Sequence, residues 1–131
     1  MGVELQMLAW AVVLGLVQLV VAATLGTQQR GLGWNAGARD GIPVPLTGVA
    51  ARMDRALHNF LETFGFFAAA VLVLALTNPS RFSAHTALGA QLYFWARVAY
   101  VPAYAMGIPY LRTLIWAAAT TGLVMVLLAL F

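Results

Sequence analysis

No cysteine occurs in the 131 residues. Disulfides, thiolate metal sites and a protein cysteine nucleophile are excluded together, so any thiol chemistry has to come from a bound small molecule. Lysine is also absent. All seven basic residues are arginine, set against only Glu4, Asp40, Asp54 and Glu62, and the pI near 10.0 reflects a few guanidinium groups rather than a basic surface. A nucleic-acid binder needs a dense exposed basic stripe, which this chain does not have. Neither histidine, His58 or His85, has a second histidine at ligand spacing, so no metal site is expected.

Charge is scarce and apolar residues abundant: 8% charged against 63% hydrophobic, with a mean hydropathy of +0.88. That is too much nonpolar surface for one small soluble core, and the chain reads as an integral membrane protein, all-α, in a single domain over residues 1–131. Four transmembrane helices are expected, over residues 4–25, 48–76, 84–106 and 111–131, each near the ~20 residues that cross a bilayer. The first lacks a positive n-region and is expected to be a mature span, not a cleaved leader. Gln18 falls in its middle, where an amide ordinarily bonds to a neighbouring helix.

Between the first two spans, residues 26–47 are rich in Gly, Pro, Gln and Arg. Asp40-Gly41, Pro43 and Pro45 predict one long loop without regular structure, closed by Thr47 as N-cap of the second helix. Asn78-Pro79 turns the chain after that helix, Pro102 is expected to kink the third, and Gly107-Ile108-Pro109 leads into the fourth. Gly65, Ala68 to Ala70, Ala117 to Ala119 and Gly122 permit close helix contact in a bundle or oligomer. Arg30, Arg39, Arg52, Arg55 and Arg112 lie at one end of the spans and only Arg81 at the other. By the positive-inside bias the long loop faces the cytoplasm and both termini lie outside it.

The polar residues of the second helix are not scattered. Arg52, Arg55, Asn59 and Glu62 stand at i, i+3, i+7 and i+10, within an arc of roughly 80°. The third helix answers with Tyr93, Arg97, Tyr100 and Tyr104, stacked on one face. In antiparallel helices joined near Pro79, Glu62 meets Arg97, Asn59 meets Tyr100 and Arg55 meets Tyr104 at about the same depth. Glu62 lies about 15 Å deeper than Arg52, so an ion pair with Arg97 is expected, either locking the helices or serving a site. Arg30, Arg52, Arg55 and Arg112 form a surplus of cations at the rim with too few carboxylates to neutralise them. Such forks beside Asn and Tyr donors suit an anionic ligand, although arginines there can also simply snorkel to the interface, the reading favoured for Arg39.

Arg55-Ala56-Leu57-His58-Asn59-Phe60-Leu61-Glu62 resembles a signature of the MAPEG family, membrane-associated proteins in eicosanoid and glutathione metabolism. Ala96-Arg97-Val98-Ala99-Tyr100-Val101-Pro102-Ala103-Tyr104 and Arg112-Thr113 resemble two further segments of it, and the likeness covers nearly the whole chain. The resemblance implies a homotrimeric four-helix bundle with glutathione as co-substrate, bound between subunits near the cytoplasmic face of what is read as a bacterial inner membrane. Arg30, Arg52, Asn59, Glu62, Arg97, Tyr100 and Tyr104 would hold it, and Arg55 or Arg112 would stabilise its thiolate. Leu57 stands where some members carry Gln or His, Trp116 where some carry Tyr, and Tyr100 where some prostaglandin synthases carry His. The expected function is a glutathione transferase or glutathione-dependent peroxidase attacking a lipophilic electrophile that arrives from the membrane lipids. The alternatives are a non-catalytic protein whose seam binds an anionic lipid or supports trimer assembly, and a small transporter, for which no inverted repeat or broken helix speaks.

Overall fold

The computed structural model describes residues 1–131 throughout. Helix α1 spans Val3–Arg30, α2 Leu32–Ala36, α3 Gly48–Thr77, α4 Ala84–Ala105 and α5 Pro109–Leu128, with a 3-10 turn at Pro79–Arg81 between α3 and α4. Side-chain contacts at the two ends establish that the long helices alternate in direction. Glu4 accepts from the Thr86 hydroxyl and Arg81 donates to the Ala129 carbonyl at one end; Arg52 donates to the Ala105 carbonyl at the other. Both termini therefore share the end of Arg81, and the other five rim arginines share the opposite end.

α1, α3 and α5 are long and apolar enough to cross a membrane. At 22 residues, α4 is about 33 Å long, but His85, Gln91, Arg97 and its tyrosines dilute its apolar content. Three of the four expected spans thus meet the standard of composition. Much of their surface is unburied hydrocarbon, including Trp10, Leu16 and Val20 on α1 and Phe66 on α3.

The main core holds twelve buried residues from all four long helices, among them Leu8, Phe67, Tyr93 and Val126. A second cluster of four, Met53, Ala56, Tyr100 and Tyr104, lies between α3 and α4 toward the arginine-rich end. α4 and α5 approach through two glycines. A Cβ on Gly89 would stand 2.7 Å from the Gly122 carbonyl oxygen, and one on Gly122 would stand 2.7 Å from the Tyr93 backbone nitrogen. Gly122 was among the small residues expected at a contact, whereas Gly65 has open space around it. α4 begins on a capping box in which Ser83 and Thr86 satisfy each other's backbone N–H.

The segment after the first span is more ordered than its composition suggests. α1 runs five residues past Leu25 because Thr27 to Arg30 contain no breaker, and it ends at Gly31, whose φ of 89° few other residues adopt. α2 follows, and only residues 37–47 lack regular structure. Thr47 is the N-cap residue of α3, but its hydroxyl makes no cap bond. Its backbone is claimed instead by Gln29, whose amide accepts from Thr47 N and donates to Thr47 O, tying the loop back to α1. Gln18 departs from expectation too: it is buried, yet neither end of its amide has a partner.

Candidate functional site

Four of the predicted arginines and tyrosines converge where α3, α4 and α5 meet. A cleft of about 330 Å³ is lined by Arg52, Arg55, Tyr104, Gly107, Pro109 and Arg112. The wall is built from local constraints. Arg52 Nε donates to Ala105 O at 2.9 Å, satisfying a carbonyl in the last turn of α4 with a cation. Gly107, at φ 73°, reverses the chain so that α5 starts beside Arg52. Arg55 Nε donates to the Tyr104 hydroxyl at 3.0 Å, and Arg112 lies over the same ring, 4.8 Å from its centroid.

A second cleft of about 220 Å³ is lined by Asn59, Tyr100, Arg112, Thr113 and Trp116. Arg112 belongs to both. Of the nine residues predicted for the site, Arg52, Arg55, Asn59, Tyr100, Tyr104 and Arg112 thus line two clefts that share a wall. No carboxylate lines either. The terminal guanidinium nitrogens of Arg52 and Arg55 donate to no protein acceptor, Arg112 reaches the Tyr100 hydroxyl alone, and none of the three forms a salt bridge. Thr113 and Trp116 complete the second cleft. The i, i+4 spacing of Arg112 and Trp116, which puts both on one face of α5, was the signal for the tryptophan.

The expected ion pair between Glu62 and Arg97 does not form. Arg97 donates through Nη1 to Asn59 Oδ1 at 2.8 Å, one helical turn short of Glu62. Thr63 and Tyr93 are hydrogen-bonded at 3.0 Å in the same register, whereas Arg55 and Tyr104 meet as expected. Asn59 and Glu62 lie about 60° apart around the helix, and that angle turns the amide toward α4 and leaves Glu62 exposed at the edge of the arc. Arg97 is 1% exposed and lines neither cleft. Its plane lies between aromatic rings, 4.4 Å from the Tyr100 centroid and 5.6 Å from that of Phe60, and its Nε and Nη2 find no acceptor.

Arg30 is held apart. Its Nε donates to Val44 O at 2.8 Å, and it lines a groove of about 250 Å³ on the α1 flank of α3, with Trp34, Asn35, Arg39, Asp54 and Leu57. Arg39 is fastened to Asn35 by three hydrogen bonds. His58 is exposed and lies 3.7 Å from Asp54, and nowhere do three potential metal-ligating side chains gather.

A pair of clefts rich in donors, with cations that no carboxylate neutralises, has the chemistry that suits an anion. Guanidinium forks match carboxylates in two-point contact, and a cation next to a thiol favours its ionised form. One family model, described as the MAPEG family, matches residues 7–131. Comparison with curated proteins and with solved structures gave no match.

Proposed function

The chain belongs to the MAPEG family, and from that membership and the paired clefts we propose that it is a membrane-bound glutathione transferase or glutathione-dependent peroxidase. The observation that carries the proposal is the set of three arginines around one cleft that no carboxylate neutralises. Glutathione carries two carboxylates, an ammonium and a thiol. The two clefts, joined at Arg112, supply donors for the carboxylates and together fall within the ~300–1,000 Å³ of a small-molecule site.

In this reading Arg112, present in both clefts, faces the sulfur, with Arg55 beside it. The cationic field raises the thiolate fraction at neutral pH. In the transferase reaction the thiolate forms a carbon–sulfur bond to a lipophilic electrophile as the leaving group departs with its electron pair. In the peroxidase reaction it attacks a hydroperoxide oxygen, releasing the alcohol and a sulfenic acid. A second glutathione reduces that acid to water and the disulfide.

In this reading α4 is a fourth span, its polar face shielded by the bundle, and the protein is a homotrimer. Arg30 and the arginine cleft lie on opposite flanks of α3. A ligand seated between neighbours is then held by Arg55, Asn59 and Arg112 of one subunit and by Arg30 of the next, as a closed ring of head-to-tail interfaces requires. The arginine-rich end faces the cytoplasm of an inner membrane. Purified protein should bind glutathione saturably by calorimetry and conjugate it to a chlorodinitrobenzene-type electrophile or use it to reduce a lipid hydroperoxide. Absence of saturable binding, or equal binding of an anionic lipid head group in competition, would overturn the proposal.

A further inference from the structure

Asn59 has its orientation decided for it. A guanidinium carries donors only, so the amide atom that meets Arg97 Nη1 at 2.8 Å is necessarily Oδ1. The end of the amide left for the cleft that Asn59 lines is therefore its NH2 group. Without Arg97 the amide could turn over at little cost and present its oxygen instead. The same guanidinium lies 4.4 Å from the ring centroid of Tyr100, a second residue of that cleft, a distance at which a cation and an aromatic face attract. Arg97 itself is 1% exposed and reaches neither cleft.

We propose that Arg97 is a positioning residue, which fixes Asn59 with its NH2 toward the ligand and backs the ring of Tyr100, so that the second cleft offers donors to an anionic guest. The inference rests on the reading that glutathione occupies these clefts. Arg97 touches no ligand. It acts by denying Asn59 the orientation in which an amide oxygen would face a carboxylate, and it does so from a buried position of its own.

The test compares glutathione affinity by calorimetry and thermal unfolding for Arg97→Met, Arg97→Lys, Asn59→Ala, Asn59→Asp and the double variant Arg97→Met with Asn59→Ala, all in lipid nanodiscs. Each of Arg97→Met and Asn59→Ala should weaken glutathione binding roughly tenfold, the loss expected of one hydrogen bond to a charged group. The double variant should lose no more than the worse single one. Arg97→Lys keeps one donor for Oδ1 and should fall between wild type and Arg97→Met. Asn59→Asp keeps the acceptor toward Arg97 while aiming a carboxylate oxygen at the ligand. It should melt no lower than wild type yet bind glutathione more weakly than Asn59→Ala.

Losses that multiply in the double variant would overturn the inference, as would an Asn59→Asp protein that binds as well as Asn59→Ala. If Arg97→Met does not fold, Arg97→Lys and the comparison of Asn59→Asp with Asn59→Ala still test the inference. A wild-type protein that binds no glutathione overturns the proposed function itself, and the unfolding temperature of Asn59→Asp then still reports whether Arg97 faces that side chain.

Discussion

Tyr104 receives a hydrogen bond from Arg55 Nε at 3.0 Å through its hydroxyl, while its ring lies 4.8 Å beneath the guanidinium of Arg112. One phenol thereby holds two cations near each other, where like charges would otherwise move apart. The two parts of the side chain can be removed separately. Tyr104→Phe keeps the ring and loses the hydroxyl, so Arg55 alone is released; glutathione affinity should fall about threefold to tenfold, with stability changed by about 1 kcal/mol or less. Tyr104→Ala also frees Arg112 and should cost more than tenfold in kcat/KM. Calorimetry and steady-state rates read both, and two variants that bind like wild type would remove Tyr104 from the site.

Arg112 and Arg55 should separate in their kinetic effects. Arg112 lines both clefts and Arg55 only one. Arg112→Ala should therefore lower kcat, and Arg55→Ala should chiefly raise KM for glutathione. The pH dependence carries the sign. A cation beside the sulfur lowers the thiol pKa from about 8.5, so activity rises with pH through a midpoint below that value. Removing the cation moves the midpoint up, and Arg112→Ala should regain part of its lost rate at alkaline pH. A rate profile displaced downward without a shift would mean that Arg112 binds but does not activate.

The pairing of Arg55 with Tyr104 was legible because helical spacing and the turn near Pro79 fix the depth of side chains near the rim. The same arithmetic put Arg97 opposite Glu62, where the structure has Asn59. Spacing gives level and face to within a turn, and a long side chain spends that margin. The order in residues 27–36 was hidden because glycine and glutamine counts say little about a short helix, and the bond between Gln29 and Thr47 joins residues 18 apart. Gly89 carried no signal of its own: a lone glycine in an apolar helix declares a close contact only when its partner, Gly122, is known. The surplus of arginine over acid could be counted in the chain, but that it stays uncompensated in the fold could not.

The contact between those glycines leaves no room for a side chain. A Cβ on Gly89 would press on the Gly122 carbonyl and on Met125 at 2.8 Å, and both neighbours are held by their own helix. Gly89→Val should destabilise by about 1–3 kcal/mol or more through overpacking. Because α5 carries Arg112, the variant should lose glutathione binding along with thermal stability in detergent. Normal unfolding would show that α4 and α5 do not pack this closely.

Gln18 should respond in the opposite direction. Its amide is buried in α1 without a partner at either end, a condition that costs about 1–3 kcal/mol per unsatisfied group. Leucine is close to it in size and carries no polar atom. Gln18→Leu is expected to raise the unfolding temperature while leaving glutathione binding alone, since Gln18 lines neither arginine cleft. A drop in stability would show that the amide is paired in the assembled protein.

Glu62 decides whether the carboxylate of the α3 arc belongs to the fold or to the ligand. It is exposed on the protomer and forms no salt bridge, and Leu61 and Phe66 beside it are exposed as well. If its charge were needed by Arg97, Glu62→Gln would strand a buried cation, at a cost of about 3–5 kcal/mol, and folded yield would collapse. The geometry assigns Arg97 to Asn59 and leaves the carboxylate exposed; under the proposed function its partner would be the ammonium of glutathione. Glu62→Gln should then be recovered at wild-type yield by size-exclusion chromatography, with glutathione affinity reduced roughly tenfold. A glutathione analogue lacking the amino group should bind wild type and variant alike, whereas a loss of yield would return Glu62 to a structural role.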